Sequence, residues 1–396
     1  MRTDAARDWP TRCLMDVVSL PTGQVDPRVE PYRSGILLAP DHVESATGRI
    51  LKRETAAEQG AASGKYLVRP GDVVFSKIRP ALRKVALADF SGVCSADMYP
   101  LRPKEDILGG FLATVLLGER FSAYVASISG RTGIPKVNRA DLAGFFFVVP
   151  PLSEQRRIVE VVDAFSAQER AIEMSIQKLR SARQGALLAA MPSIEGGDLP
   201  RGWTRVPLKD VVPKAEYGIS NALDQDPRGV PVLRMNNLSN GRPELSDLRY
   251  SSMPIPVELE LRRGDVLFNR TNSIDHVGKS GMWRSEIPRA AFASYLVRIN
   301  PDETRLIPEY LVEWLMHPLI RQRVKSISTV AVQQVNVNPT RLRELEIDMP
   351  VDLVEQRRII DLLYSCDGQI QSEHAELKKI RMLKLGLVDD LLTGSS

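Results

Sequence analysis

A chain of 396 residues is long enough for two or three domains, and its 43% hydrophobic and 26% charged content is that of an ordinary globular protein. The net charge of +4 is compatible with nucleic acid but is far too weak to indicate it. The three cysteines lack CxxC spacing, the four histidines are scattered, and no segment approaches the roughly 18 apolar residues of a membrane span or the apolar core of a signal peptide, so we expect a cytoplasmic protein without metal or cofactor.

The first part of the chain alternates short β-runs with a helical pattern. A Gly-Asp pair at 71–72 indicates a tight turn that enters a buried strand, Val73–Phe75. A helical pattern covers Gly109–Ser127, and a second apolar strand follows at Phe145–Val149. These signals predict a globular domain of α/β type over residues 1–149.

One long helix follows, and we assign it to residues 150–192. A Pro-Pro pair suits the approach to a helix, Ser153 offers an N-cap, and no proline occurs for about 38 residues. Apolar residues recur in steps of three, four and seven, which places them on one stripe. A helix of this length spans about 60 Å, too long for one small domain to cover, so the stripe requires a partner.

The pattern then repeats after a linker, Pro192–Gly202. A second Gly-Asp pair at 264–265 precedes the strand Val266–Phe268, 264 − 71 = 193 residues after the first pair. Another strand, Tyr295–Ile299, and a helical pattern, Pro308–Ser326, complete a second domain over residues 193–349. The two domains share this frame but differ in most other residues.

The partner stripe lies in a second long helix, predicted over residues 350–396. Glu355–Ile359 repeats Glu154–Ile158 identically, 355 − 154 = 201 residues later. The apolar positions that follow alternate in threes and fours, close to a heptad seam. In each copy a glutamate and an arginine three residues apart, Glu154 with Arg157 and Glu355 with Arg358, are expected to form a structural pair.

Catalytic motifs are missing from the chain. Gly278-Lys279-Ser280 lacks the earlier glycine of a phosphate-binding loop, and Glu376-Leu377-Lys378 has nuclease-like spacing but lies in the middle of a predicted helix. The sequence has no methyltransferase motif, and no Ser/His/Asp arrangement can be assembled from so few histidines. We therefore expect a protein that is not an enzyme.

The duplicated helix entry resembles the specificity subunit of type I restriction–modification systems. Pro150–Ile158 reads PPLSEQRRI, and the family's framing L-P-x-G-W and L-x-D-V occur at 199–203 and 208–211. The ending Leu391–Gly394 is also typical. The second copy departs from the pattern, because Met349–Val354 replaces PPLS and is one residue longer.

The resemblance implies an α+β protein with two tandem α/β target recognition domains, each followed by a long helix. The two helices would pair as an antiparallel coiled-coil spacer. Each domain would read one half of a bipartite site on double-stranded DNA, and the helices would dock two methyltransferase (modification) subunits. Whether a restriction or translocase subunit joins the complex stays open, and no membrane partner is implied.

Four loops, equivalent in pairs, carry the side chains that suit DNA. Arginine and lysine read guanine, asparagine and glutamine read adenine, and small donors contact phosphate. The candidates are Lys77, Arg79, Arg131 and Lys136 in the first domain and Asn269, Arg270, Asn272, Gln333, Gln334 and Asn336 in the second. The competing interpretation is that these basic residues are ordinary solvated charges.

Two other functions fit the same pattern. The chain could be a structural adaptor in which a coiled coil holds apart two protein-binding modules that do not contact DNA. It could also be a DNA-binding defence protein that recruits a different effector. Steeply salt-dependent DNA binding favours DNA reading over the adaptor, and co-purification with an adenine methyltransferase separates the first function from the third.

Overall fold

The computed structural model describes residues 9–129, 135–191, 198–330 and 334–393. Packing divides the chain into two compact units, one formed by Met1–Met174 with His374–Ser396 and the other by Ser175–Glu373. Each unit therefore holds a part of both long helices. The linker assigned to Pro192–Gly202 lies largely outside the described residues.

The first half of the chain contains nine strands and five helices among the described residues. They are β1 (Thr11–Cys13), α1 (Leu14–Val17), β2 (Val18–Ser19), β3 (Ile36–Leu38), β4 (Tyr66–Val68), β5 (Val73–Ser76), β6 (Val85–Leu87), β7 (Gly92–Cys94), β8 (Met98–Pro103), α2 (Gly109–Leu117), α3 (Glu119–Ile128), α4 (Arg139–Leu142), β9 (Phe146–Val148) and α5 (Leu152–Ala190). Strands β2-β8-β5-β6 form an antiparallel sheet, and β3-β7-β4 form a smaller mixed sheet. Helices α2 and α3 pack on the first sheet.

The second half repeats this order with more, shorter strands. Its described elements are β10 (Trp203–Pro207), β11 (Glu216–Tyr217), β12 (Val230–Leu233), β13 (Leu238–Ser239), β14 (Arg242–Pro243), β15 (Arg249–Ser251), β16 (Val266–Asn269), β17 (Thr271–Asn272), β18 (Ser280–Met282), β19 (Ala291–Phe292), β20 (Leu296–Arg298), α6 (Pro308–Met316), α7 (Pro318–Ser326), β21 (Thr329–Val330), β22 (Val335–Asn336), α8 (Pro339–Arg343), β23 (Glu346–Pro350) and α9 (Leu353–Thr393). The main sheet has the order β11-β20-β16-β18, in which β16 takes the place of β5.

Each helix predicted between the sheet and the long helix is a pair of shorter helices. The pattern over Gly109–Ser127 is broken at Gly118, whose backbone is extended, so that α2 and α3 meet at an angle of 59°. The pattern over Pro308–Ser326 is broken where Pro318, which has no N–H to donate, opens α7. Both apolar runs continue across the break because each pair faces one core.

The cores of the two units are built from the same positions. In the first unit the rings of Phe121 and Phe75 meet edge to face at 5.3 Å, and those of Phe121 and Phe145 at 4.9 Å. In the second unit Ile320 occupies the place of Phe121 and is fully buried. Helices α2 and α3 together reach the length and apolarity of a membrane span, but no single described helix does.

Both long helices are anchored at their start by one buried glutamine. Gln155 accepts the backbone N–H of Leu108 at 2.9 Å and donates to the backbone carbonyls of Asp106 and Pro150. Its copy Gln356 accepts from Ile307 at 3.0 Å and donates to the carbonyls of Arg305 and Pro350. Both side chains are 0% exposed, so the repeated Glu-Gln-Arg-Arg sequence fixes each helix to the domain in front of it.

The caps of these helices differ from the expectation. Helix α5 begins at Leu152, where the amides of Glu154 and Gln155 donate to the carbonyl of Pro151, so Ser153 lies inside the first turn and does not cap it. In the longer second copy Asp352 accepts the N–H of Val354 at 2.8 Å. The expected pairs of Glu154 with Arg157 (3.1 Å) and Glu355 with Arg358 (3.2 Å) are confirmed.

Within each unit the parts of α5 and α9 contact each other through ion pairs and hydrogen bonds. In the first unit Lys384 lies 3.3 Å from Glu169, and Arg381 lies 2.7 Å from Glu173. In the second unit Arg183 binds Asp367 at 2.6 Å. Higher numbers on α5 meet lower numbers on α9 in the first unit, which is the sense of an antiparallel pair.

Candidate nucleic-acid interface

The two Gly-Asp turns fix the strands from which the candidate loops emerge. Asp72 accepts the backbone N–H of Arg69 and binds the guanidinium of Arg102 on β8 through two bonds of 2.8 Å. Asp265 repeats this with the N–H of Arg262 and the guanidinium of Arg298 on β20, at 2.9 Å. The aspartate of each turn is therefore a buried anchor that holds a turn to a neighbouring strand.

The guanidinium of Arg298 is held more firmly than that of Arg102. Burial by itself would lower the pKa of Arg298, but the hydrogen bonds that it donates to Asp265 and Glu216 outweigh burial and raise that pKa. The Arg298 side chain is 7% exposed, whereas that of Arg102 is 31% exposed. The aspartate–arginine pair is thus buried in the second unit and partly exposed to solvent in the first.

The two candidate loops of the first domain lie side by side. The N–H of Val137 donates to the carbonyl of Lys77 at 2.8 Å, and the N–H of Arg79 donates to that of Pro135 at 2.9 Å. Ile78 and Lys136 form a β-bridge between these bonds. The pairing that the sequence predicted from equivalent positions brings Lys77, Arg79 and Lys136 into one cluster.

The basic side chains of this cluster lie against an aromatic ring. The ammonium group of Lys77 lies 5.1 Å from the ring centre of Tyr99, and the guanidinium of Arg139 lies 5.8 Å from the same ring. Burial, and then the neighbouring Tyr66, raise the pKa of Tyr99, so its hydroxyl stays a neutral donor. The cluster therefore places the half-buried Lys77 and the exposed Arg139 beside the ring of Tyr99, which is 6% exposed.

The second domain repeats the arrangement at equivalent atoms. Val337 donates its N–H to the carbonyl of Arg270 at 2.8 Å, as Val137 does to Lys77. Strand β17 pairs with β22, so that Thr271 faces Asn336. The guanidinium of Arg270 donates to the side-chain oxygen of Asn336 at 3.2 Å and lies 5.1 Å from the ring centre of Tyr217. Its Nε atom is buried and has no hydrogen-bond partner among the described residues.

Four of the candidate residues are not placed as expected or are not described. Asn269 is 0% exposed and its amide donates to the carbonyl of Met235, so it supports the loop from inside and is not accessible to a base. Asn272 is 7% exposed and accepts the N–H of Ser273. Arg131 and Gln333 lie outside the described residues.

The remaining candidates stay accessible, and three further residues lie beside them, of which Tyr99 is buried. Arg79, Lys136 and Gln334 are exposed, while Lys77, Arg270 and Asn336 are half-buried. Sequence reasoning missed Tyr99, Arg139 and Tyr217, which come from other elements. Arg139 follows the Asn138 that caps α4, a signal that could have drawn attention to it.

The chemistry of the two clusters is that of recognition. Cations stacked on tyrosines, with amide and hydroxyl groups beside them, supply donors for phosphate and for base edges. Within the described ranges there is no group of three or more His, Cys, Asp or Glu side chains that could hold a metal ion.

Solved structures share this fold. Over 97% of its length the chain aligns with 97% of a chain from a study of complex assembly and conformational transition of the type I R-M system. The TM-score is 0.68 and the sequence identity is 21%, so this match defines the fold alone.

The family follows from the sequence match. The model of the type I restriction modification DNA specificity domain matches residues 7–180 and 200–382, and the chain belongs to this family. It is 36% identical over 172 residues to the specificity subunit of the type I restriction enzyme EcoDI of Escherichia coli, a match that covers 43% of this chain and 38% of that protein. It is 27% identical over 202 residues to the putative MjaX specificity subunit of Methanocaldococcus jannaschii, covering 50% and 47%. The matched regions thus span less than half the length of these two relatives.

Proposed function

We propose that this chain is the DNA sequence-recognition subunit of a type I restriction–modification complex. The observation that carries the proposal is the pair of equivalent clusters, in which Lys77 and Arg270 occupy the same backbone position and each stacks on a tyrosine. Two equivalent clusters of hydrogen-bond donors suit a protein that reads double-stranded DNA at two half-sites. The first cluster would read one half of a bipartite site and the second cluster the other half.

The four-part division of the chain belongs to this proposal. Residues 1–149 and 193–349 are the two target recognition domains, and residues 150–192 and 350–396 are the spacer helices. Support for an antiparallel coiled-coil spacer comes from the contacts between α5 and α9 within each unit, such as Glu169 with Lys384 and Asp367 with Arg183. The exposed faces of the spacer would dock two methyltransferase subunits.

The chain itself would not catalyse methylation or cleavage. Its clusters hold cations, amides and a neutral tyrosine, which bind and orient DNA and carry out no bond chemistry. The reaction would belong to the methyltransferase subunits and, where one is present, to a restriction subunit. The complex would act in the cytoplasm, where its DNA substrate lies.

A methylome tests the proposal as a whole. Cells that carry this chain with its methyltransferase should show one bipartite methylated adenine motif that is lost when the chain is deleted. Duplex DNA binding by the purified complex should fall steeply with salt. A chain that captures proteins but gives neither a motif nor salt-dependent DNA binding would be the adaptor described above.

Removing Arg270 tests the second cluster. Arg270→Ala should weaken binding to the cognate site by about 1–3 kcal/mol and relax specificity in one half-site only, because a stacked, hydrogen-bonded guanidinium is lost. Lys77→Ala should act on the other half-site. Competition binding against half-site variants measures both changes. Arg228→Ala is the matched control, because Arg228 is 90% exposed and pairs only with Asp226 in the described structure; an equal loss in this variant would show that general charge matters and not the cluster.

Shortening the spacer tests its role as a ruler. Deleting one heptad from each helix, Ala171–Gln177 and His374–Ile380, removes about 10.5 Å of helix, the length of about three base pairs. The methylated motif should keep both half-sites and lose about three unspecified base pairs between them. Inserting a heptad in each helix should add as many. An unchanged spacer in both variants would contradict the proposed ruler.

A further inference from the structure

Asn336 is held on both sides by neighbouring strands of the second unit. It lies on β22, the middle strand of the sheet β17-β22-β21, opposite Thr271 on one side and Thr329 on the other. The adjacent Val337 donates its N–H to the carbonyl of Arg270 at 2.8 Å. The backbone of Asn336 is therefore fixed from two directions, and its half-buried side chain leaves from a rigid point.

The amide of Asn336 is fixed in one of its two possible orientations. The guanidinium of Arg270 donates through Nη2 to Oδ1 of Asn336 at 3.2 Å. Because a guanidinium has donors only, an amide turned by 180° would set Nδ2 against another donor and lose this bond. In the described part of the chain Nδ2 has no hydrogen-bond partner, and it is not one of the buried polar atoms. Its N–H groups are therefore available to a group from outside the chain.

Arg270 is occupied within the second unit, so it can act on the amide but has little left for DNA. Its Nη1 donates to the carbonyl of Ser294 at 3.3 Å, and its guanidinium lies 5.1 Å from the ring centre of Tyr217. Its Nε atom is buried. The strands that carry these partners are joined, because β11 pairs with β20 and the N–H of Arg270 donates to the carbonyl of Tyr295. The guanidinium therefore has a fixed position beside Asn336.

The surrounding acidic groups do not compete for these side chains. Among the described residues neither Arg270 nor Asn336 pairs with a carboxylate. Glu216, on the strand that carries the tyrosine, already accepts from Lys214 and Arg298 at 2.8 Å. The amide thus meets DNA with its Nδ2 donor and with the second lone pair of Oδ1.

An amide with this fixed orientation matches adenine and not guanine. In the major groove adenine presents the acceptor N7 beside the donor N6–H, whereas guanine presents the two acceptors N7 and O6. Nδ2 of Asn336 can donate to N7 of adenine while Oδ1 accepts from N6. Against guanine the fixed Oδ1 would face O6, and two acceptors repel each other.

The first unit carries a different side chain at the same place. The N–H groups of Val137 and Val337 donate to equivalent carbonyls in the two units. The residues before them, Lys136 and Asn336, therefore correspond. Lys136 is exposed and offers donors only, which suit phosphate or the two acceptors of guanine. A preference for adenine at this position is thus a property of the second unit.

We propose that Asn336 reads an adenine in the half-site of the second domain, with Nδ2 donating to N7 and Oδ1 accepting from N6. Arg270 is the positioning residue that fixes this amide, and it sets the choice between adenine and guanine through Asn336 without contacting the base. The inference rests on the proposed DNA-reading function and adds to it a base and the residue pair that selects it.

Base analogues test the contact in the wild-type complex of this chain with its methyltransferase subunits. Each adenine of the methylome motif, on either strand and other than the methylated ones, is replaced by 7-deazaadenine, which lacks the N7 acceptor, or by purine, which lacks the N6 amino group. At one adenine of the second half-site each analogue should weaken competition binding about fivefold. The Asn336→Ala complex should bind the three duplexes within twofold of one another.

Variants of Arg270 separate positioning from structural support. Arg270→Met keeps a long side chain but cannot donate, so it should lower the preference for adenine over guanine at that position about tenfold. It should have no further effect once Asn336 is alanine. Arg270→Lys keeps a donor for Oδ1 and should restore the preference to within threefold of the wild type. Lys136→Ala, the matched change in the first unit, should leave the preference unchanged.

The outcomes distinguish this inference from the function on which it rests. Because the analogues act on the wild-type complex, that comparison stays valid even if a variant fails to fold. A bipartite motif in which no adenine responds to both analogues would overturn the reading by Asn336 and leave the DNA-reading function intact. An unchanged preference in folded Arg270→Met would overturn the positioning role. A complex with neither a motif nor salt-dependent DNA binding would overturn the proposed function itself.

Discussion

Replacing Asp265 with alanine should destabilise the second unit by about 3–5 kcal/mol, the usual cost of leaving a buried charge without its partner. Asp265 accepts from the N–H of Arg262, from Arg298 and from the amide of Asn300 at 2.6 Å. After the change the guanidinium of Arg298, which is 7% exposed, keeps only Glu216 as an acidic partner. Hydrogen exchange of the β16 amides, read against urea concentration, measures the loss.

The first unit supplies the matched comparison. Asp72→Ala removes the equivalent carboxylate, but its partner Arg102 is 31% exposed and can be solvated in place. The cost for β5 should therefore be clearly smaller than that for β16. If the two units lost the same stability, the shared turn geometry and not the buried charge would determine the loss.

Replacing Gln356 with alanine should cost the second unit about 2–4 kcal/mol. The change leaves the N–H of Ile307 and two carbonyls without their partner in a site that is 0% exposed, and each orphaned group costs about 1–3 kcal/mol before relaxation. Gln155→Ala should do the same to the first unit. Urea unfolding followed by circular dichroism measures the change.

An exposed glutamine on the same helix is the control. Gln371 lies on the solvent side of α9. The substitution Gln371→Ala should therefore change the free energy of unfolding by less than about 0.5 kcal/mol. If Gln356→Ala were as mild as Gln371→Ala, the anchoring role of the repeated glutamine would be wrong.

Repetition made much of the fold predictable. The identical runs at Glu154–Ile158 and Glu355–Ile359 located both long helices, and the Gly-Asp turns located β5 and β16. The breaks at Gly118 and Pro318 were missed, because an apolar run looks the same whether one straight helix or two bent ones bury it. The Ser153 cap was wrong because the helix already starts at Leu152, two residues before the Glu154 that such a cap would make its first residue.

The candidate interface was harder to predict, since it depends on contacts between distant residues. Equivalent loop positions brought Lys77 together with Lys136 and Arg270 with Asn336, which a repeat comparison can detect. The supporting tyrosines come from separate strands, so no local spacing indicates them. The burial of Asn269 was hidden for the same reason: its amide meets the carbonyl of Met235, 34 residues away.

The anchors of both units have a consequence for how such a chain can change over generations. Among the described residues, Gln155 and Gln356 bond to main-chain atoms, which every residue type except proline provides in full. The side chains at the residues that these glutamines contact can therefore change without loss of the anchoring hydrogen bonds. Under the proposed function, a change confined to the domain in front of one anchor would alter the reading of one half-site and leave the other half-site as it was.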